Sequence, residues 1–134
     1  MEHLLEVKNL SVSIDGPSGE VQAVRDVSFS LKKGEVLAIV GESGCGKSVL
    51  CKSIMKLLPP SAKIKEGSIC VNGQDITCYR EKEMQKLRGR VFSMIFQDPM
   101  TSLNPTIKIG KQIGEAVVIH NKNLSLIHIS EPTR

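Results

Sequence analysis

The fold is decided by a stretch in which an apolar segment runs into a glycine-rich one: Val36-Leu37-Ala38-Ile39-Val40-Gly41-Glu42-Ser43-Gly44-Cys45-Gly46-Lys47-Ser48. The second part has the spacing G-x-x-x-x-G-K-S, which is typical of a loop that binds phosphate through successive backbone N–H groups. Its glycines keep Cβ atoms away from the anion and permit unusual backbone angles. The pattern arises by chance in a chain of this length about once in a few hundred sequences, so a mere glycine-rich turn is the weaker interpretation. We therefore predict a buried strand over residues 36–40, a phosphate-binding loop and then a helix.

The residues after the strand supply the charges that such a loop needs. The first N–H groups of a helix are unpaired and its dipole is positive there, which favours phosphate. Lys47 is expected to place a full positive charge on the β- and γ-phosphates, and the Ser48 hydroxyl to bind a Mg²⁺ that bridges them. The predicted nucleotide contacts are Gly41, Glu42, Ser43, Gly44, Cys45, Gly46, Lys47, Ser48 and Val49.

Composition narrows the class of protein. The chain has 134 residues, 40% of them hydrophobic, which is enough for the core of one domain. It has no run of about 18 apolar residues, and charges at Glu2, Glu6 and Lys8 interrupt any N-terminal leader, so we expect a cytoplasmic protein without direct membrane insertion. The net charge of +4 is scattered and aromatic residues make up 3%, so we expect no nucleic-acid partner.

The cysteines point away from a metal site. Four are present, namely Cys45, Cys51, Cys70 and Cys78, and they form no C-x-x-C pair. We interpret them as small buried hydrophobic residues.

Before the loop, the pattern predicts two half-buried antiparallel strands. Apolar residues occupy odd positions at Leu5 and Val7 but even positions at Leu10, Val12 and Ile14. The side that is apolar therefore changes along the strand, which indicates a break near Lys8-Asn9. A turn over residues 15–19 precedes the second strand, in which Val27, Phe29 and Leu31 alternate with polar residues. A reversal at Lys32-Lys33-Gly34 leads into the buried strand.

After the loop, the elements alternate between helix and strand. Leu50, Ile54, Leu57 and Leu58 predict a helix that Pro59-Pro60 ends. A hairpin with an Asn72-Gly73 turn follows, then a short surface helix within 79–90 and a second buried strand over 91–96. An irregular segment over 97–105 precedes a last helix, in which Asn104 and Pro105 are expected to form the start. Its predicted apolar stripe is Ile109, Ile113, Ala116, Val117 and His120, and we assign His120 no role.

These residues resemble one family, the ATP-binding subunits of ABC transporters. The specific run is Met94-Ile95-Phe96-Gln97-Asp98-Pro99-Met100-Thr101-Ser102-Leu103-Asn104-Pro105, which looks like the Q-loop region of the oligopeptide/dipeptide (peptide/nickel) importer branch. The resemblance implies that Gln97 reaches the Mg²⁺ and the attacking water. Lys47 and Gln97 would then be catalytic residues, and Ser48 and Gln97 metal ligands.

The resemblance also carries expectations about fold and assembly. It implies an α/β fold, a P-loop NTPase of the ABC-transporter ATPase type that is incomplete, with an N-terminal antiparallel β subdomain and the first part of a parallel-sheet core. It implies ATP and Mg²⁺ as cofactors, and membrane-spanning transporter subunits and a second ATP-binding subunit as partners. The location would be peripheral, at the cytoplasmic face of the cell membrane. Residues 1–123 would be the N-terminal part of the domain, and 124–134 a tail that is foreign to the family and similar to translated sequencing-adapter DNA.

Two departures from the family pattern stand out. Ile14 occupies the place where such ATPases stack an aromatic side chain on adenine. There is no apolar strand ending in Asp-Glu, no Leu-Ser-Gly-Gly-Gln segment and no switch histidine, so we expect the chain as given not to hydrolyse ATP. Two alternatives stay open, a P-loop kinase or GTPase outside transport and a nucleotide-binding fragment without catalysis.

Overall fold

Two long antiparallel strands begin the fold, and a third pairs with the free edge of the first. The computed structural model describes residues 3–121, which fall into two units divided after Met84. The first unit holds β1 (His3–Gly16), β2 (Gly19–Lys32), α1 (Lys47–Ile54), β3 (Ala62–Val71) and β4 (Gln74–Asp75). The strands form one antiparallel sheet in the order β2-β1-β3-β4. The predicted N-terminal antiparallel β subdomain is therefore present.

The predicted break in β1 is confirmed at Asn9. This residue has φ 47°, and the pairing register of β1 with β2 shifts between Val7 and Leu10. Asp26 opposite it has φ 45°, and Asn9 Nδ2 donates to Asp26 Oδ1 at 2.8 Å. The bulge shifts parity by one residue, so that Val7 lies in the core before it and Leu10 after it.

Helix α1 is shorter than predicted. It ends at Ile54, and Lys56 adopts φ 51°, a left-handed conformation that terminates helices. The Leu57 N–H then donates back to the Lys52 carbonyl at 2.8 Å. Leu57 and Leu58 therefore lie outside the helix, and its buried residues are Leu50 and Ser53. The expectation of a stripe ending at the prolines was wrong because the chain leaves the helix before it reaches them.

The β3–β4 hairpin is confirmed. Asn72 and Gly73 have φ 49° and 78°, as a primed two-residue turn requires. Beyond it, Thr77 ties the return segment to β3, since its Oγ1 accepts from the Ile69 N–H at 2.9 Å and donates to Asp75 Oδ1. The Thr77 N–H donates to the same carboxylate at 2.8 Å. The hydroxyl bond, followed by the backbone bond, lowers the pKa of Asp75 below its usual value.

The remaining elements are helical. Helix α2 (Glu81–Leu87) matches the predicted surface helix and buries Met84. In the second unit a 3₁₀ turn covers Pro99–Thr101, and α3 runs over Ile109–His120. Helix α3 begins after Lys108, so the prediction that Asn104 and Pro105 start it was wrong. The Asn104 side chain instead accepts from the Thr106 N–H at 3.0 Å, which forms a turn before the helix.

The two buried strands predicted over 36–40 and 91–96 are not formed. Neither stretch belongs to the described sheet, and exposure reaches 97% for Val36, 87% for Val40 and 95% for Ile95. A strand that is apolar on both faces needs paired edges and a covering layer on each side. The described strands pair only with one another and provide neither.

Two further expectations concern side chains. None of the four cysteines is fully buried, and Cys45 and Cys78 are exposed, so their interpretation as buried hydrophobic residues was wrong. The predicted stripe on α3 is likewise mostly exposed, with Ile109 and Ile113 each 61% accessible.

Within residues 3–121 no helix has the length and apolar character needed to cross a membrane. The predicted foreign tail at 124–134 lies outside the described residues.

Candidate phosphate-binding site

The glycine-rich loop runs directly into α1. Gly44 and Gly46 have φ 82° and 93°, values that favour glycine, and Gly46 is the residue from which α1 starts. The first helical hydrogen bond joins the Leu50 N–H to the Gly46 carbonyl at 2.9 Å. The N–H groups of Lys47 and Ser48 therefore have no helical acceptor, and none of the described residues accepts from them. This leaves backbone donors at the positive end of the α1 dipole, where an anion is favoured.

The loop is seated on strand β2 through Gly46. A Cβ atom at this position would lie 2.3 Å from the carbonyl oxygen of Ala23, closer than Cβ atoms approach any oxygen. Gly46 is thus required twice, by its backbone angle and by this contact. Sequence reasoning missed Ala23, because a contact made by a backbone carbonyl leaves no signature in residue type.

The Lys47 ammonium lies within the loop that it follows. Its Nζ donates to the carbonyls of Gly41 and Glu42, each at 2.6 Å, and lies 3.3 Å from Cys45 Sγ. A Cβ atom added at Gly41 would lie only 2.5 Å from the same sulfur. The loop backbone therefore curves around the Lys47 ammonium, and the contact of this cation with phosphate stays a prediction.

The other predicted contact residues are exposed or half-buried. Ser43 is exposed, Val49 is half-buried, and the Ser48 side chain is exposed with no hydrogen bond to the described part of the chain. A free hydroxyl one residue after the lysine is the type of ligand that a phosphate-bound Mg²⁺ takes. The first turn of α1 contains no acidic residue that would oppose an anion. The residues present therefore fit a Mg²⁺-nucleotide.

A depression of about 330 Å³ lies beside the loop. It is bounded by β2, the segment before the loop, and α1, through Ala23, Val24, Arg25, Val27, Ile39, Val40, Cys45, Gly46, Lys47 and Leu50. Most of these side chains are apolar, and Arg25 and Lys47 are the two cations in the lining. Ile14 does not line this depression. It pairs with Val21 and Ala62 in the sheet. The residue expected nearest adenine is thus absent from the lining of this cavity.

Gln97 belongs to the second unit, so the structure describes it apart from the loop. Its side chain is exposed and has no hydrogen-bond partner within residues 3–121. Asp98 directly after it organises the following turn, because its Oδ1 accepts from the Met100 N–H at 3.0 Å. The predicted role of Gln97 as a metal ligand stays a prediction.

Solved structures share this fold. One is a dimeric ATP-binding cassette in a post-hydrolysis state bound to ADP and Pi, with a TM-score of 0.74 at 21% identity, over 90% of this chain and 50% of that one. Another is cbiO1 from Clostridium perfringens, part of the ABC transporter complex cbiONQ, with a TM-score of 0.67 at 26% identity, over 96% and 47%. The fold therefore defines an ATP-binding cassette, and this confirms the predicted fold class.

Sequence comparison gives the family. The ABC transporter family model matches residues 24–131, and the chain belongs to this family. It is 58% identical over 123 residues to the dipeptide transport ATP-binding protein DppD of Bacillus subtilis, covering 91% of this chain and 37% of that protein. It is 58% identical over 120 residues to the oligopeptide transport ATP-binding protein OppD of the same organism, covering 89% and 34%. For OppD of Escherichia coli the identity is 50% over 122 residues, covering 91% and 36%. The chain thus spans little more than a third of the length of these relatives.

Proposed function

We propose that the complete protein is the ATP-binding subunit of an importer for oligopeptides, dipeptides or similar small solutes, and that it couples ATP binding and hydrolysis to transport. The observation that carries the proposal is the closure of the loop 41–48 around the Lys47 ammonium at the start of α1. The choice of solute rests on the relatives, whose names give dipeptide and oligopeptide transport.

In this proposal each part of the loop has a distinct task. The unpaired N–H groups at the start of α1 receive the phosphate oxygens, and Lys47 neutralises their charge. Ser48 would bind the Mg²⁺ through its hydroxyl, and Gln97 would be its second ligand from the chain. The metal would supply charge stabilisation for phosphoryl transfer when bound.

The proposed partners are membrane-spanning transporter subunits and a second ATP-binding subunit. The loop after Gln97 would meet the membrane subunits, since exposed apolar side chains occur there, among them Met100 and Leu103. The proposed location is peripheral, at the cytoplasmic face of the membrane.

Lys47→Ala tests the site in the complete subunit. Removal of the one side-chain cation inside the loop is expected to lower affinity for Mg-ATP by at least about a hundred-fold, with thermal unfolding little changed because the ammonium does not contribute to the core. Titration with a fluorescent ATP analogue measures the affinity. Lys52→Ala is the matched control, since it removes a lysine from the last turn of the same helix. Equal affinity in the Lys47→Ala and wild-type proteins would rule out the assigned site.

A second measurement tests the solute. The complete subunit, reconstituted with its membrane subunits in vesicles, is expected to drive ATP-dependent uptake of a dipeptide or an oligopeptide. Uptake of neither, together with intact ATP binding, would remove the transport assignment and leave the nucleotide site standing. Competition with GTP would then separate an ATPase from a GTPase.

A further inference from the structure

One side chain ties the segment after Gln97 to helix α3. The Gln112 amide oxygen Oε1 accepts from the Asn104 N–H at 2.7 Å. Its Nε2 donates to the Asn104 carbonyl and to the Ile107 carbonyl, each at 2.8 Å. A glutamine amide has two N–H donors and one carbonyl, and here all of them are engaged with backbone. Gln112 therefore holds both polar backbone groups of Asn104 at once.

The restraint extends from Asn104 into the turn that follows. Asn104 Oδ1 accepts from the Thr106 N–H at 3.0 Å and from the Thr106 hydroxyl at 2.6 Å. The Ile107 N–H donates to the Asn104 carbonyl at 3.3 Å, the same oxygen that receives Gln112. Residues 104–107 are thus fixed to α3 through a network that Gln112 enters at two points.

The other end of the segment is organised by Asp98. Its carboxylate receives the Met100 N–H, and its carbonyl accepts from the Thr101 hydroxyl at 3.2 Å. Between the two ends, Met100 is 86% and Leu103 47% exposed. The backbone over 98–107 is therefore ordered by polar contacts, although its apolar side chains are turned to solvent. A segment whose backbone is held by hydrogen bonds while its apolar side chains stay exposed is typical of a surface that binds another protein.

We propose that Gln112 is a positioning residue for coupling. It holds the segment after Gln97 in the shape that the membrane subunits contact, so that nucleotide events are transmitted to them. The inference rests on the proposed function, in which this segment faces the membrane subunits. The competing explanation is that Gln112 only stabilises the N-terminus of α3, because the N-cap residue Lys108 makes no side-chain capping hydrogen bond.

Gln112→Leu in the complete subunit separates these explanations. Leucine keeps most of the side-chain volume and removes all three hydrogen bonds. Amide hydrogen exchange at Asn104 is expected to accelerate about ten-fold, since its acceptor is lost. Stimulation of ATPase activity by the membrane subunits is expected to fall about ten-fold. Mg-ATP affinity and unstimulated ATPase activity are expected to stay within about two-fold of wild type, because the phosphate loop is not altered.

Val118→Ala is the matched control. Val118 is half-buried on the same helix and is not part of the Gln112 network, so its truncation weakens α3 without freeing Asn104. If Val118→Ala lowers the thermal midpoint as much as Gln112→Leu and loses stimulation equally, the positioning role is wrong. Full stimulation in Gln112→Leu would also overturn it. A wild-type subunit that binds ATP but shows no stimulation would instead refute the proposed transport function, and the exchange rate at Asn104 would still decide whether Gln112 orders the segment.

Discussion

Substitution of alanine for Gly44 or for Gly46 in the phosphate loop separates two contributions to the shape of the loop. Gly44 and Gly46 both have positive φ, so a Cβ at either costs roughly 1–2 kcal/mol in backbone strain. At Gly44 nothing lies within 4 Å of the added atom, whereas at Gly46 it would meet the Ala23 carbonyl at 2.3 Å. To relieve this overlap, the backbone of either the loop or β2 must shift, which adds about 1–3 kcal/mol to the cost of the substitution. We expect the free energy of unfolding to fall by about 1–2 kcal/mol in Gly44→Ala and by about 2–5 kcal/mol in Gly46→Ala.

Urea unfolding of the two variants, followed by circular dichroism, measures this difference. The comparison is internally matched, because the substitution, the loop and the sign of φ are the same. Gly46→Ala should also lose more affinity for Mg-ATP, since the start of α1 has to move away from β2. Equal unfolding free energies for the two variants would refute the contact between Gly46 and Ala23 as a determinant of stability.

Three further predictions follow from the same structure. Gln97→Ala is expected to leave ATP affinity within about two-fold and lower ATPase activity at least about ten-fold in the complete subunit; wild-type turnover would show that this amide has no role. The stability that Asp75 contributes is present above the usual aspartate pKa of about 3.9 and is lost as pH falls through its lowered value in the fold. The stability gap between wild type and Thr77→Val, measured by urea unfolding, should therefore narrow from pH 6 to pH 2.5, and a constant gap would contradict this assignment. The 134-residue chain is expected to self-associate through its exposed apolar segments, and Val40→Lys with Ile95→Lys should reduce its apparent mass in light scattering; an unchanged mass would mean that other surfaces drive association.

Features with a local cause could be predicted from the sequence. The change of parity around Asn9 indicated the bulge, and Asn72-Gly73 indicated a turn that needs two positive φ angles. The loop spacing likewise predicted a helix directly after the glycine-rich loop, and α1 begins at Lys47; the nucleotide contacts of the loop stay predictions. In each case the residues that determine the structure are neighbours in the chain.

Features that depend on distant partners could not be predicted in this way. The contact of Gly46 with Ala23 joins a loop to a strand through a carbonyl that every residue type carries. The apolar run over 36–40 has the composition of a buried strand, yet strand formation depends on edges that other segments provide. Helix α1 ended early because Lys56 took a left-handed conformation, for which lysine gives no signal.

The strand order has a consequence for how the protein is made. Strands β1 and β2 are neighbours in the chain, but β3 completes the other side of β1 only after the phosphate loop and α1 have been synthesised. The segment that carries the glycine-rich loop therefore lies between β2 and β3, so both of its ends are anchored in one sheet. On the ribosome, the hairpin can form first and present an open edge on β1 until β3 arrives. Capture of β3 at that edge closes a loop of the chain, so the segment that carries the glycine-rich loop acquires fixed end points in the same folding step that completes the sheet.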